Sequence, residues 1–197
     1  MKLDIGCGKN KKEGFIGIDR IKFDGVDLVF NIVKRIAILH PDPEEPLADP
    51  LYEYNKLPYE ESSVDEIHFS HALEHFTGVE RAHILNEFYR VLKNGSKAHV
   101  IVPYWCSNRA YGDITHQWPP VSEMFWYYLD PAWREGNAPH CDSKYVPHLL
   151  KCNFAATWGY SLHQTLPVRS PEYQQYAMQF YKEACQDTIA TLTARKD

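Results

Sequence analysis

The sequence predicts an α/β fold built on a mostly parallel β-sheet, and three observations lead to this class. Short apolar segments with strand patterns alternate with segments of helical periodicity, as in parallel strands joined by helical crossovers. Glycines or acidic residues follow several of these segments, at the strand ends where such sheets bind ligands. The 197 residues, 44% hydrophobic and 24% charged, supply the core of one domain, which we expect to span residues 1–197.

The strands of the first half are predicted from short apolar runs that stop at glycine, asparagine or proline. A helix is predicted between the fourth and fifth strands, because Ala82, Leu85 and Phe88 recur at helical spacing and Asn94-Gly95 follows them. The predicted strands are residues 3–5, 15–19, 26–30, 64–70 and 98–102.

Residues 32–56 are predicted to form an inserted surface loop or flap. Four prolines break any helix or central strand there, and four acidic residues keep the stretch in water. The residues concerned are Pro41, Asp42, Pro43, Glu44, Glu45, Pro46, Asp49 and Pro50.

The C-terminal part continues the alternation of helices and strands. A short helix is predicted over residues 122–129 with Ser122 as its N-cap, followed by a strand over 154–163. Ser170-Pro171 begins a helix with a serine cap and a proline in its first turn, and we predict that it extends to about residue 186. β-Branched residues over 188–193 predict the last strand.

Charge and cysteine content limit the classes of partner and compartment. The net charge of −5 argues against a general polyanion-binding protein, so a nucleic-acid partner is not expected. The five cysteines form no C-x-x-C pair and are odd in number, which indicates reduced thiols in a reducing compartment. No apolar leader and no run of roughly 18 apolar residues is found. We therefore expect a cytoplasmic protein without a membrane partner.

The segment Asp4-Ile5-Gly6-Cys7-Gly8 is the strongest motif in the chain. Glycines directly after a buried strand let the backbone turn sharply and approach a ligand closely. Asp19 ends the next predicted strand, where its carboxylate can accept hydrogen bonds from both hydroxyls of a ribose. Lys11 stands where a dinucleotide fingerprint needs a third glycine, which argues against a nicotinamide cofactor.

A family resemblance extends from this motif through the first 103 residues. The sequence resembles class I S-adenosylmethionine (SAM)-dependent methyltransferases, and in particular compact predicted enzymes of the type 11 kind, some of them phage-encoded. The matching segments are Leu3-Asp4-Ile5-Gly6-Cys7-Gly8, Gly17-Ile18-Asp19, Leu57-Pro58-Tyr59, Ser63-Val64-Asp65, Ala72-Leu73-Glu74-His75, Arg90-Val91-Leu92-Lys93-Asn94-Gly95 and Ile101-Val102-Pro103.

The resemblance implies a Rossmann-like fold with a mostly parallel seven-stranded sheet and flanking helices. Only residues 6–14 separate the first two predicted strands, so the usual first helix is expected to be reduced. Residues 104–150 would form an aromatic cap on the acceptor side. The cofactor would be S-adenosyl-L-methionine, and the product S-adenosyl-L-homocysteine.

The resemblance also implies roles for residues at the cofactor end. Gly6 and Gly8 would lie along the methionine part of SAM, Asp4 would reach its amino group directly or through water, and Asp19 would hold the ribose hydroxyls. Asn31 occupies the position near the adenine where relatives usually carry aspartate. The complete predicted cofactor-binding set is Asp4, Gly6, Cys7, Gly8, Asp19, Asn31 and Ser70.

The segment after the fourth strand normally faces the transferred methyl group, and here it is rich in histidine. If a helix begins at His71, then His71, Glu74 and His75 fall at i, i+3 and i+4 on one helical face. His116 lies in the loop after the fifth strand, which neighbours the fourth in this fold. These four residues are the predicted metal ligands.

A narrower resemblance supports this set. Metal-dependent O-methyltransferases of small-RNA 2′-O-methylation and of ubiquinone synthesis carry E-x-x-E-H at this place, and here His71 replaces the first glutamate. A divalent ion would lower the pKa of an acceptor hydroxyl, and histidine ligands would favour Mn, Fe, Co or Zn over Mg. Two alternatives stay open: His71 or His116 acts as a metal-free general base, or the histidines only shape the pocket.

The acceptor pocket is expected after the fifth strand, where aromatic residues cluster. Tyr104, Trp105 and Trp118 could stack on a planar substrate, and Arg109 could pair with an acidic group. The alternative is a hydrophobic cap over the sheet edge, with Arg109 solvated.

We therefore predict an enzyme that transfers methyl from SAM to an oxygen or nitrogen of an unidentified, small or planar acceptor. One alternative is a metal-dependent RNA 2′-O-methyltransferase, although the acidic charge weighs against it. Another is a non-catalytic SAM-binding module. A DNA amino-methyltransferase would carry an Asn/Asp-Pro-Pro-aromatic motif, whereas Ser70-His71-Ala72-Leu73 stands at that position.

Overall fold

A computed structural model describes residues 1–37, 52–137 and 149–196. Its strands are β1 (Lys2–Ile5), β2 (Ile16–Asp19), β3 (Leu28–Val29), β4 (Arg35–Ala37), β5 (Tyr52–Tyr54), β6 (Val64–Ser70), β7 (Leu92–Pro103), β8 (Phe154–Leu162) and β9 (Cys185–Ala194). Its α-helices are α1 (Gly78–Val91), α2 (Asn108–Gly112), α3 (Glu123–Tyr127), α4 (Pro131–Asn137) and α5 (Pro171–Phe180), and Leu73–His75 form a 3₁₀ turn.

Seven of the strands form one twisted sheet in the order β3-β2-β1-β6-β7-β9-β8. The pairs from β3 to β7 are parallel, whereas β9 runs antiparallel to both β7 and β8. The predicted Rossmann-like, mostly parallel sheet is therefore confirmed. The carboxyl ends of β1, β2, β6 and β7 meet at one edge, which is where a sheet of this kind binds its ligands.

The core explains why the two central strands form where they do. Leu3, Ile67 and Phe69 are at most 1% exposed because they lie on the face of β1 and β6 that the core covers, whereas the alternate residues Glu66 and His68 stay partly exposed. Helix α1 packs its apolar stripe against them and begins with a capping box, in which Thr77 and Glu80 each accept a hydrogen bond from the other's backbone N–H.

The predicted reduction of the first helix is confirmed, because residues 6–15 contain no helix and connect β1 to β2 by turns. Glycine conformation makes this short connection workable. Gly6 and Gly8 adopt φ of 67° and 53°, in the left-handed region that glycine tolerates best.

Several predicted boundaries are wrong. The C-terminal helix ends at Phe180 rather than near residue 186, because Glu183 adopts φ of 64° and the chain turns into β9 at Cys185. Helix α1 ends at Val91, and β7 starts at once from Leu92. The third strand contracts to Leu28–Val29.

The predicted flap lies mostly outside the described residues, which omit 38–51 and thus all four of its prolines. Its ends are described, and there β4 pairs with β5 as an antiparallel ribbon. A ribbon at these ends is compatible with the predicted surface loop or flap, which stays a prediction over the residues in between. Within the predicted cap, residues 138–148 also lie outside the description.

None of the helices within the described ranges is long and apolar enough to cross a bilayer.

Candidate active site

The glycine loop closes the carboxyl end of β1. Gly6 donates its backbone N–H to the carbonyl of Ile18 at 2.7 Å, which holds the loop against β2. A Cβ on Gly6 would lie 3.1 Å from the Cβ of Ala72 and 3.6 Å from the ring of Phe69. The loop thus needs glycine here both for its backbone angles and for close packing against β6 and the turn that follows it.

Asp19 lies at the end of β2 and faces the same space. One carboxylate oxygen accepts a hydrogen bond from Gly8 N and the other from Ile21 N, both at 2.9 Å. A carboxylate oxygen can accept more than one hydrogen bond, so the side chain keeps capacity for a pair of ligand hydroxyls.

A cavity of about 590 Å³ lies beside these two elements. Gly6 and Asp19 line one side, Asn31 and Ile32 follow β3, and Leu57 closes the far wall. The remaining lining residues are Ile5, Ile18, Arg20, Ile21, Phe23, Phe30, Phe69, His71, Ala72, His75, Phe76, Thr115 and Gln117. Its volume falls in the range of about 300–1,000 Å³ that is usual for small-ligand sites.

Four residues of the predicted cofactor set are not among those that line this cavity. Asp4 is 2% exposed, and its carboxylate accepts a hydrogen bond from Lys12 N at 2.6 Å and lies 2.9 Å from His68 Nδ1. Cys7 is buried, and burial raises the pKa of its thiol. Gly8 supports Asp19 through its N–H, and Ser70 ends β6 in register with Ile101. Asp4 thus stabilises the loop between β1 and β2 through its contacts with Lys12 and His68.

His71 does not begin a helix, so the predicted single helical face of His71, Glu74 and His75 is wrong. His71 adopts φ of 50°, and its N–H is held by the carbonyl of Ile101 at 2.8 Å. Its Nδ1 lies 3.6 Å from Glu74 Oε1, and its Nε2 lies 4.0 Å from Asp187 Oδ1. These carboxylates, Glu74 foremost, raise the pKa of His71.

Three of the four predicted metal ligands do come together. One ligand atom each from Glu74, His75 and His116 lies within 4.8 Å of the others. The imidazole rings of His75 and His116 are 4.7 Å apart and nearly perpendicular, at 75°. Glu74 is 5% exposed, and its Oε2 has no hydrogen-bond partner among the described residues.

Hydrogen bonding fixes the same tautomer on both rings. His116 Nδ1 lies 3.1 Å from the carbonyl of Ala110, which can only accept, so Nδ1 carries the proton and Nε2 the lone pair. Thr115 gives its one hydroxyl proton to Asp113 at 2.6 Å, so it must accept from His75 Nδ1 at 2.9 Å. In the neutral form of each histidine, the lone pair therefore lies on Nε2.

An open cleft of about 720 Å³ surrounds this group, and we call it the histidine cleft. It is lined by His71, Glu74, His75, Pro103, Arg109, Gly112, Asp113, Ile114 and His116. His71 and His75 line the histidine cleft and the 590 Å³ cavity alike, so the two spaces adjoin through these side chains.

Comparison with known proteins adds family evidence to this geometry. The profile of the methyltransferase domain family matches residues 3–100. The chain therefore belongs to the methyltransferase domain family and has the class I fold of SAM-dependent methyltransferases. A SAM-dependent methyltransferase from Archaeoglobus fulgidus is 17% identical with a TM-score of 0.55, and the alignment covers 98% of this chain and 85% of that one.

A second similar structure comes from Haloferax volcanii, a complex between the Trm112 methyltransferase activator and a candidate methyltransferase. It is 15% identical with a TM-score of 0.51, over 100% of this chain and 82% of that one. At these identities the likeness establishes the fold. No curated protein sequence matches the chain.

Residues of the 590 Å³ cavity could hold the cofactor of the methyltransferase, SAM. Apolar side chains of Ile18, Ile32 and Leu57 offer walls for the adenine, and Asp19 offers acceptors for the ribose hydroxyls. Gly6, His71 and His75 line the same cavity.

Two residues that shape the site escaped sequence analysis. Arg81 of α1 is 2% exposed and donates to the carbonyls of Leu73, Glu74, Gln117 and Pro119, at 3.1, 3.4, 3.0 and 2.7 Å. It thereby ties the Glu74 turn to the loop that carries His116. A signal exists for Arg81, since an arginine at an apolar helical position needs buried partners. Asp187 gives no such signal, because only the sheet order brings it to His71.

The predicted acceptor residues of the methyltransferase are divided by the structure. Arg109 lines the histidine cleft, but its guanidinium pairs with Asp187 at 2.9 Å. Trp118 is 76% exposed and lines neither the histidine cleft nor the cofactor cavity. Tyr104 and Trp105 line a different cavity on the other side of Pro103. The predicted aromatic acceptor pocket is thus not one continuous surface.

Proposed function

We propose that this methyltransferase transfers the methyl group of SAM to an oxygen or nitrogen of an acceptor bound in the histidine cleft. One observation carries the proposal: His71 and His75 line both the cofactor cavity and the histidine cleft. A donor in one space and an acceptor in the other would meet at these side chains. The mouth of the cleft is open enough for a small molecule or for a protruding group of a larger one.

Methyl transfer to a neutral oxygen or nitrogen needs close, in-line approach and removal of one proton. The sulfonium supplies the electrophile, so most of the protein's task is positioning. Asp19 and the glycine loop would fix the donor, and Arg81 fixes the turn that carries Glu74 and His75. In the absence of a metal, Nε2 of a neutral His75 or His116 would accept the acceptor's proton.

The side chains of Glu74, His75 and His116 also fit a resident divalent metal ion, and one observation favours a metal site here. Glu74 Oε2 is a buried carboxylate oxygen without a partner among the described residues, which costs free energy unless a cation or a proton joins it. His75 and His116 present Nε2 lone pairs, and their Nδ1 protons are held by Thr115 and Ala110, as is typical of metal-bound histidines.

Glu74, His75 and His116 would hold the ion, and His71 would not. An ion of the Mn, Fe, Co or Zn class bound there lowers the pKa of a coordinated hydroxyl. A hydroxyl acceptor is thus favoured over an amine if the metal is present.

Elemental analysis and an activity assay separate the metal from the general base. We expect about one divalent ion per purified chain, lost in Glu74→Gln and His116→Ala but kept in the control His163→Ala, which lies outside the site. The metal should also raise the melting temperature of the wild type and not of Glu74→Gln. Metal-free protein with full methyl transfer in EDTA would contradict the metal and leave the histidines as bases.

A calorimetric titration with S-adenosylhomocysteine tests the cofactor end and the non-catalytic alternative. We expect one-to-one, micromolar binding, no binding of NADH, and at least 100-fold weaker binding in Asp19→Ala, because two hydrogen bonds to a carboxylate contribute about 3–6 kcal/mol. Asp24→Ala, at an exposed position in the same region, serves as control. Unchanged affinity in Asp19→Ala would remove the ribose assignment.

Transfer of labelled methyl from SAM into cell extract then distinguishes enzyme from module. Label in small molecules, RNA or protein would each name an acceptor class. Binding of S-adenosylhomocysteine without any methyl transfer would favour the hypothesis of a non-catalytic SAM-binding module.

A further inference from the structure

A second cavity of about 710 Å³ lies outside the methyl-transfer site. Tyr104 and Trp105 follow β7 into it, Tyr160 enters from β8, and Glu123 from the start of α3. One face of α5 closes it with Pro171, Gln174, Gln175, Met178 and Gln179. None of the residues described as lining this cavity lines the cofactor cavity or the histidine cleft.

Three aromatic rings in this cavity face in different directions. The ring of Tyr104 is 5.9 Å from that of Trp105, at 51°, and 5.8 Å from that of Tyr160, at 89°. A flat ligand could stack on only one of the rings so inclined, whereas a rounded group can contact several of them. The π faces carry negative potential, so a cation within about 6 Å of a ring centroid is attracted to them.

Glu123 adds a full negative charge at the same place. Its Oε1 accepts a hydrogen bond from the Tyr160 hydroxyl at 3.3 Å, and that hydroxyl accepts one from Trp158 Nε1 at 3.1 Å. Within the described ranges, no lysine or arginine lies at ion-pair distance from Glu123. Burial and the Glu123 carboxylate both raise the pKa of Tyr104, so its ring stays neutral.

We propose that this cavity binds a quaternary or methylated ammonium group. Such a group is a weakly hydrated, rounded cation, and the partly exposed rings of Trp105 and Tyr160 with the carboxylate of Glu123 match its charge. Tyr104 is 3% exposed and adds little open surface. A metal ion would need more than one ligand of the carboxylate kind, and an anion would be repelled by Glu123. The glutamine amides of α5 offer hydrogen bonds to the rest of the ligand, since the cavity exceeds a single ammonium group.

The test compares choline with its neutral isostere 3,3-dimethylbutan-1-ol, each titrated into the full chain saturated with S-adenosylhomocysteine. Saturation keeps both probes out of the cofactor cavity, and S-adenosylhomocysteine carries no sulfonium that could compete. We expect choline to bind at least tenfold more tightly than the isostere. Equal affinities would show an apolar cavity without cation recognition and would overturn the proposal.

Two substitutions locate the binding. Trp105→Leu keeps an apolar side chain but removes a π face, and Glu123→Gln removes the charge while keeping the shape. Each should weaken choline at least fivefold and leave the isostere unchanged, whereas Tyr176→Ala, on α5 but outside the cavity, should change neither. Choline affinity unaffected by Trp105→Leu and Glu123→Gln would place the ligand elsewhere. Thermal melts check that each variant is folded.

Discussion

At the residue scale, the clearest constraint is on Gly6, where backbone conformation and packing both exclude a side chain. Its φ is 67°, and an added Cβ would approach Ala72 Cβ to 3.1 Å. We predict that Gly6→Ala destabilises the fold by about 1–3 kcal/mol, because left-handed strain and a tight contact add together. The substitution should also weaken the binding of S-adenosylhomocysteine, since the glycine loop must move. Chemical denaturation and calorimetry measure the two effects.

Gly14 separates the two contributions. It has φ of 78° but nothing within 4 Å of an added Cβ, so Gly14→Ala reports backbone strain alone. We expect it to cost less than Gly6→Ala and to leave cofactor affinity unchanged. If Gly14→Ala and Gly6→Ala lost equal stability and equal cofactor affinity, the contact of the Gly6→Ala side chain with Ala72 would contribute nothing.

The residues at the two ends of the site differ in how far the sequence could predict them. Gly6 and Asp19 follow directly from the motif, because their roles depend on neighbours close in the chain. The partnership of His75 with His116 was predicted only through the fold. The position of His71 was not, because φ of 50° at a non-glycine residue ends any helical register and is set by contact with Ile101.

At the element scale, helix α1 holds the site together through Arg81. We predict that Arg81→Met lowers the free energy of unfolding by roughly 3 kcal/mol or more, because four carbonyls, two of them in buried hydrogen bonds, lose charged donors at once. The free energy of unfolding of Arg81→Lys should lie between those of the wild type and Arg81→Met, since an ammonium cannot reach all four acceptors. Urea denaturation gives the values, and Lys97→Met at an exposed position of β7 should be near neutral.

A stability loss in Arg81→Met no larger than in Lys97→Met would show that the carbonyls find other donors. The metal content of Arg81→Met gives an independent readout. If Arg81 positions the Glu74 turn, Arg81→Met should not retain the proposed metal ion even where the protein remains folded.

Elements were predicted best where one periodicity dominated. The strand over 64–70 has the predicted bounds, and α1 was located from its apolar stripe. The C-terminal helix was overextended because residues 181–184 carry helix-compatible side chains, while the turn that ends it depends on Glu183 and on pairing of Cys185 with Leu162. That pairing is a contact between distant segments and leaves no local signal.

At the scale of the whole molecule, β9 completes the site although it is the last strand in the chain. It inserts between β7 and β8, which places Asp187 4.0 Å from His71 and 2.9 Å from Arg109. Strand order of this kind cannot be read from spacing. The family resemblance implied a mostly parallel seven-stranded sheet without placing the last strand in it, and composition and periodicity supplied only the alternation of helices and strands.

The same strand and its neighbours bury two thiols, which makes the stability of the whole fold depend on alkaline pH. Burial raises the pKa of Cys152 to about 11 and that of Cys185 to about 12, from a usual value near 9. Above pH 9 the unfolded chain releases these protons and the folded chain does not, so the unfolded state is favoured. Each thiol should lower the free energy of unfolding by about 1.4 kcal/mol per pH unit between its two pKa values.

We predict that the stability of the wild type falls from pH 9 to 10.5 more steeply than that of the double variant Cys152→Ala, Cys185→Ala. Urea denaturation across this range measures both slopes, and lysines and tyrosines that titrate there contribute equally to each. The native thiols should also resist a disulfide reagent at pH 8 and react once urea unfolds the chain. Identical slopes, or rapid reaction of both thiols in native protein, would show that the sheet opens far more readily than this packing implies.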